Sequence, residues 1–387
     1  MTSRQRFLKA LELGQPDRLP VTTHHVMPYF LEKSLGGVST LDFFDRFGLD
    51  AIDWVDARMP DIEQGDYLEP ISSGGEVGEA PCLCSDRWRI RRERIPKFGC
   101  RAVRFLIDTP KKTLSTVLRS EVHTDWVTER LLKQKSDIDL IEEYAPIPVC
   151  NVELVNRRAE ILGERGMIRG SIPGFDIYGQ PGCWQDAAAL FGIEALILQT
   201  YDDPKWVHAL LSVLWDRKCR YIRTLADARF DLVELGGGDA SSTVISPWIF
   251  HEFVAPYDAR LIQEAHAVGQ RIVYHTCGGM MPLLEAIADM GPDAAETFTP
   301  AALGGDTDLA EAKRRIGGRL CLIGGFDQFH YFAGCRAEDT RREVRRCFAA
   351  AGEGGGFILS PSDHFFDADL ELIHAYADEA RRCVYKG

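Results

Sequence analysis

Residues 246–279 read SPWIFHEFVAPYDARLIQEAHAVGQRIVYHTCGG. Ser246 and Pro247 open a helix, the serine as its cap and the proline at the first helical position, and the amphipathic run continues to Gly269. Arg271 to His275 is then a short β-rich run that ends abruptly in Thr276-Cys277-Gly278-Gly279. A helix feeding an apolar strand that stops at polar residues is one unit of a parallel βα repeat. Outward from this unit the same rhythm recurs. Strands are predicted over Met167 to Ile172, Asp231 to Leu235, Ala294 to Phe298, Leu320 to Ile323 and Gly356 to Ser360, with helical patterns from Pro204 and over Leu309 to Ile316. The alternation predicts an α/β protein with a parallel sheet, and a single (β/α)8 TIM barrel with N-terminal elaborations rather than an open doubly wound sheet. The open alternative lacks its glycine-rich dinucleotide loop, because Gly236-Gly237-Gly238 and Gly354-Gly355-Gly356 have the wrong spacing and read as tight turns.

Upstream, Arg4 to Leu13 reads as a helix, Leu19 to Thr22 as the first barrel strand and Leu41 to Phe47 as another helix. The stretch 59–130 reads as strands and loops elaborating the same domain, so residues 1–387 are expected to form one unit.

With 387 residues, 45% hydrophobic, 27% charged and 10% aromatic, the chain can bury a large core and is not a disordered or fibrous sequence. Its net charge of −13 repels phosphate backbones and anionic lipid. The densest basic run, Arg87 to Arg94, alternates with apolar residues and reads as the solvated face of a strand pair, so no nucleic acid is expected. No apolar stretch is long enough for a membrane span and no signal-like block opens the chain, which predicts a cytoplasmic protein. The cysteines number eleven and are scattered, with no CxxC spacing. They are expected to be reduced thiols, not a disulfide framework or a zinc ribbon.

Barrel active sites lie at the carboxyl ends of the strands. Residues at those ends are Asp239 in GGGDASS, His275 and Cys277, Glu296 within its strand, Phe326-Asp327, Asp363-His364, and His24-His25 after the first strand. The HxC sequence is the sharpest element. Two side chains two residues apart on a strand share a side, and an imidazole with a thiolate suits zinc. A third ligand would come from Asp363, His364 or Glu296, leaving an open, catalytic position. The competing reading is a buried cysteine beside a histidine that bonds the backbone. A cysteine nucleophile at Cys277 is disfavoured, since parallel side chains converge on a shared ion more readily than they pair with each other. Asp239 is placed to orient a substrate, Glu296 to bind the metal or manage a proton, and His24, His25, Phe326, Asp327 and His364 to line the substrate cavity.

The segments RQRFLKALELGQPDRLPV, SPWIFHEFVAPYDARLIQEAHAVGQRIVYHTCGG, LLEAIADMGPDAAET, GDTDLAEAKRRIGGRLCLIGGFD and GGGFILSPSDH together resemble the uroporphyrinogen decarboxylase superfamily, over residues 1 to about 30 and about 160 to 387. The resemblance implies a single (β/α)8 barrel. True uroporphyrinogen decarboxylases carry an arginine-rich RQAGR segment after the first strand. Here that stretch is Thr23-His24-His25-Val26-Met27-Pro28-Tyr29, which contains no arginine to grip a polyanion. The zinc-dependent methyltransferase branch, which works with corrinoid proteins, has an HxCG motif similar to His275-Thr276-Cys277-Gly278. By the same resemblance a further ligand falls in SPSDH at Asp363, with Glu296 near a second carboxylate position. A carboxylate in place of a thiolate leaves the zinc more Lewis-acidic, which suits a methoxylated substrate. No cobalamin-binding DxHxxG loop is present, so the corrinoid is expected on a separate partner protein.

The resulting expectation is a zinc-dependent methyltransferase that moves a methyl group between a small molecule and a corrinoid protein, with a homodimer admitted. The alternative is a decarboxylase or lyase of a smaller carboxylic acid.

Overall fold

The computed structural model describes residues 1–68, 81–96, 100–121, 123–175 and 177–385. These fall into two compact units. One is Met1–Asp56 with Glu153–Ser171 and Ala228–Gly387, the other Ala57–Val152 with Ile172–Asp227.

The first unit is built on a curled, all-parallel sheet of seven strands, β1 (Ala51–Trp54), β2 (Gly166–Ser171), β3 (Leu232–Gly236), β4 (Ile272–His275), β5 (Ala294–Thr297), β6 (Cys321–Phe326) and β7 (Phe357–Pro361), paired in chain order. The strands are apolar almost throughout because both faces are covered; Val233, Leu235, Ile272, Val273, Tyr274, Leu322 and Ile358 are all buried. Six of the seven coincide with the sequence expectation to within a few residues.

The N-terminal end differs from expectation. Leu19 to Thr22 is not a regular strand but makes a single parallel bridge, Val21 to Leu359. Pro20 has no N–H for a ladder, yet its carbonyl accepts from Leu359 and Thr22 donates to the Leu359 carbonyl. On its other side the Val21 carbonyl accepts from the Asp50 amide at 2.8 Å. The regular strand β1 was not expected, because Asp53 breaks its apolar run. Arg158 offsets that carboxylate with two contacts, at 2.9 and 2.5 Å. Nearby, the buried Asp50 accepts from Arg6, Arg18 and the Val21 amide, which ties the capped helix Ser3–Leu11 to the sheet.

The helix preceding β4 begins as read, with Ser246 Oγ accepting from the Ile249 amide. It runs as Pro247–Ile249, a wide π turn Phe250–Val254, and Ala255–Ala267. Pro256 lies just past the wide turn and cannot donate to the carbonyl four residues back, which is the ordinary cause of such a bulge.

The second unit holds a four-stranded antiparallel sheet, Arg89–Arg94, Arg101–Asp108, Thr113–Ser120 and Asp125–Glu129. Parts of the 59–130 stretch, namely 69–80, 97–99 and 122, lie outside the described residues. Arg89 and Arg91 are exposed while Ile90 is buried, so the basic run is a solvated strand face. Four helices follow among the described residues, Ile138–Tyr144, Cys183–Phe191, Ile193–Asp202 and Pro204–Arg223. Lys218 and Asp186, both buried, pair at 2.6 Å. Among the described residues no helix is long and apolar enough to cross a membrane, and none of the eleven cysteines is in a disulfide.

Candidate functional site

Strand register sets the site. On neighbouring strands His275 of β4 is level with Glu296 of β5 on one side and with Gly236 of β3 on the other. Gly236 has φ +107°, and a Cβ there would lie 2.3 Å from the His275 carbonyl oxygen, so only glycine lets β3 pass this close. His275 therefore reaches Glu296 directly, with Nδ1 3.1 Å from Oε1. Its other ring nitrogen, Nε2, is 3.1 Å from Cys277 Sγ. The imidazole and the thiol of the HxC sequence are in contact, which differs from the expectation that they stand parallel. After Cys277 the chain turns at Gly278, φ +86°, and the Gly279 amide donates to Thr243 Oγ1 at 2.6 Å.

Behind this pair lies Arg169 of β2, completely buried. It grips Glu296 with both terminal nitrogens, Nη1 to Oε2 at 3.0 Å and Nη2 to Oε1 at 2.9 Å, and Nη2 also donates to Glu234 of β3 at 3.2 Å. Its guanidinium lies over the Trp54 ring, 4.3 Å from the centroid. His24 Nδ1 is 3.4 Å from Arg169 Nη1 and 3.5 Å from Glu296 Oε2. Neither Arg169 nor Glu234 was expected from the sequence, although a lone charge inside MIRGS and inside LVELG is the available signal.

The electrostatics follow from these contacts. Burial disfavours the charged form of His275, but Cys277, Glu234 and Glu296 outweigh it and hold the imidazolium well above the ordinary histidine range. Burial would raise Glu296; Arg169, His24 and His275 instead hold it well below the usual carboxylate range. His25 is pushed well below the ordinary value by burial and by His24 and His364, while its ring stacks on Trp54 at 4.3 Å. His364 falls to about 4, again mainly through burial and His24, and its Nδ1 is buried with no hydrogen-bond partner.

The remaining expected site residues are placed as follows. The rings of His24, His25, His275 and His364 cluster, with His24 5.0 Å from His275 and His25 5.2 Å from His364. Asp239 sits half-buried in the short turn Gly238–Ala240 after β3. Asp363 is half-buried after β7 and accepts from the His364 amide at 2.7 Å. Phe326 is a fully buried side chain, packed on Tyr376 and Phe332 at 4.6 and 5.0 Å. The Asp327 carboxylate caps the helix Gln328–Tyr331 and accepts from the His330 amide and ring, which engages both its oxygens.

His24, Glu234, His275 and Glu296 offer ligand atoms that all lie within 4.8 Å of one another, a grouping that could hold a metal ion. Among the described residues neither Cys277 nor Asp363 joins such a group. The contact of His275 Nε2 with Cys277 Sγ also fits zinc. Bond lengths of about 2.0 Å to nitrogen and 2.3 Å to sulphur need these atoms about 3.6 Å apart, about half an ångström beyond their present separation. Of the four grouped residues, both carboxylates already carry Arg169.

The sequence profile described as uroporphyrinogen decarboxylase (URO-D) matches residues 177–383, more than half of the chain. The chain belongs to the uroporphyrinogen decarboxylase family. A uroporphyrinogen decarboxylase of Pseudomonas fluorescens is 30% identical over 339 residues, covering 81% of this chain and 88% of the relative. One of Nocardia farcinica is 31% identical over 267 residues, covering 62% and 73%. Among solved structures, a methyltransferase from Methanosarcina mazei superposes with a TM-score of 0.65 at 16% identity, over 99% of both chains. At that identity the likeness shows the shared fold; the two relatives are named for decarboxylation and the fold neighbour for methyl transfer.

Proposed function

We propose that this family member is a zinc-dependent methyltransferase that moves a methyl group between a small, uncharged substrate and a corrinoid carried by a separate protein. The observation that supports it is His275, anchored through Nδ1 to Glu296 and presenting Nε2 to Cys277 Sγ at a strand's carboxyl end. His275 and Cys277 would hold the ion, with Asp363 as the oxygen donor that the HxCG resemblance puts beside them. When bound, zinc supplies Lewis acidity to the heteroatom that carries or accepts the methyl group. Glu296, held by Arg169, keeps His275 turned toward the ion. Burial keeps His25 and His364 neutral, so they offer ring nitrogens to a substrate without adding charge, and Asp239 would orient it. The arginine-free stretch Thr23 to Tyr29 argues against a polyanionic substrate.

The same reading takes the bridge at Val21 as the eighth position of a closed (β/α)8 barrel, since this segment bonds to β7 on one side and to Asp50 on the other. Eleven cysteines outside any disulfide suit a reducing, cytoplasmic setting.

Two measurements test the proposal. Elemental analysis should find about one zinc per chain, lost in Cys277→Ala and His275→Ala. An anaerobic assay with methoxylated aromatics should convert cob(I)alamin to methylcobalamin in the visible spectrum. Zinc content unchanged by Cys277→Ala would defeat the metal assignment. The relatives' names favour a second reading, decarboxylation, for which the arginine-free stretch Thr23 to Tyr29 suits a smaller acid; release of carbon dioxide with no need for cobalamin would select it.

A further inference from the structure

The geometry points to Arg169 as a positioning residue that sets the metal-binding face of His275 through Glu296. This deepens the zinc reading above and rests on it. The four-residue group around His24 is the first place to look for an ion, yet its interior already holds a cation. The Arg169 guanidinium makes a two-pronged bond to Glu296, a third bond to Glu234, and is itself fully buried against Trp54. Glu296 is thereby held fixed, with Oε1 accepting from both Arg169 Nη2 and His275 Nδ1. An imidazole whose Nδ1 proton is held by a carboxylate coordinates through Nε2, and the imidazolium of the metal-free state would shed its Nε2 proton as the ion binds. Nε2 is the nitrogen beside Cys277 Sγ. The order Arg169, Glu296, His275, Cys277 thus runs from the buried end of the site to the thiol. Glu296 orients a ligand in this arrangement and is not itself one.

The test uses the full chain, stripped of metal and titrated with cobalt(II), whose thiolate charge-transfer absorption reports Cys277 as a ligand; Cys277→Ala is the control. Wild type should bind with that band. Arg169→Met should lose at least about tenfold in cobalt affinity, the scale at which carboxylates behind a ligating histidine act. Arg169→Lys, which keeps the charge beside Glu296, should recover part of the loss, a rescue that a purely packing role would not give. Because removing one member of a buried ion pair can prevent folding, Arg169→Met/Glu296→Gln is measured alongside; it removes both charges and should bind cobalt as weakly. Equal affinity in wild type and in either folded variant overturns the inference.

If wild type takes up no cobalt at Cys277, the zinc reading falls. The relay is then read from the ring-nitrogen NMR signals of His275 in the metal-free protein. A proton fixed on Nδ1 in wild type and lost from it in the variants sustains the relay, and identical signals refute it.

Discussion

Nη2 of Arg169 lies 2.9 Å from Oε1 of Glu296 and Nη1 lies 3.0 Å from Oε2, a parallel two-pronged ion pair with neither residue more than 1% exposed. Such a pair does little for net stability compared with apolar side chains of the same volume, but breaking it strands a charge. Glu296→Ala should therefore cost about 3–5 kcal/mol in urea unfolding followed by far-UV circular dichroism. A loss under about 1 kcal/mol would mean that water or Glu234 takes over the guanidinium.

Gly236 is required for two reasons, its φ of +107° and the 2.3 Å approach that a Cβ would make to the His275 carbonyl. Gly236→Ala should lower stability by more than the roughly 1–3 kcal/mol of backbone strain alone, and should reduce zinc uptake by displacing His275. Gly354, with φ +78° and open space within 4 Å of where a Cβ would stand, is the comparison. Gly354→Ala should cost only about 1–2 kcal/mol and leave metal content unchanged. Equal effects at the two positions would count against the close approach.

In the second unit, Lys218 Nζ donates to Asp186 and to the carbonyls of Pro173 and Gln180, while Asp186 accepts from the Phe175 and Gln180 amides. Lys218→Met should cost about 3–5 kcal/mol. Unlike a simple buried pair, Lys218→Met/Asp186→Leu should not recover that loss, because it orphans two amides and two carbonyls. A double-mutant cycle in urea measures this; full recovery in the double variant would contradict it.

Burial, reinforced by Asp61 and opposed by Arg217, pushes Asp66 up to about 6 from an ordinary 3.8. In the unfolded chain it ionises lower, so the folded state holds the extra proton between those values. Stability should fall as pH rises from about 4 to about 6, by about 1–2 kcal/mol once solvent screening is allowed for, and the loss is complete above that window. Asp66→Asn should flatten this part of the pH–stability curve. An unchanged slope in that variant would assign the effect to another group.

Six of the strands were legible because a strand covered on both faces is a short apolar run, and the HxC pair was legible because its two residues are neighbours in sequence. Asp53 concealed β1 by breaking its pattern, with the compensating Arg158 more than a hundred residues away. Pro20 limited Leu19 to Thr22 to a single bridge. Arg169 and Glu234 were missed for a related reason. Each is one charge in an apolar strand, and its partners appear only once parallel strands bring β2, β3 and β5 into register. That Phe326 and Asp327 follow a strand was legible, whereas the aromatic packing of one and the helix cap formed by the other are set by segments that the local sequence does not show.

The buried guanidinium also fixes the charge balance of the innermost cup. One positive group faces the carboxylates of Glu234 and Glu296, and a Cys277 thiolate with the Asp363 carboxylate would add two more negative charges. A dication seated there leaves the set one negative charge from neutrality, so an anion entering the cup would meet no excess of positive charge to reward it. Selection among uncharged entrants then falls to shape and to hydrogen bonds.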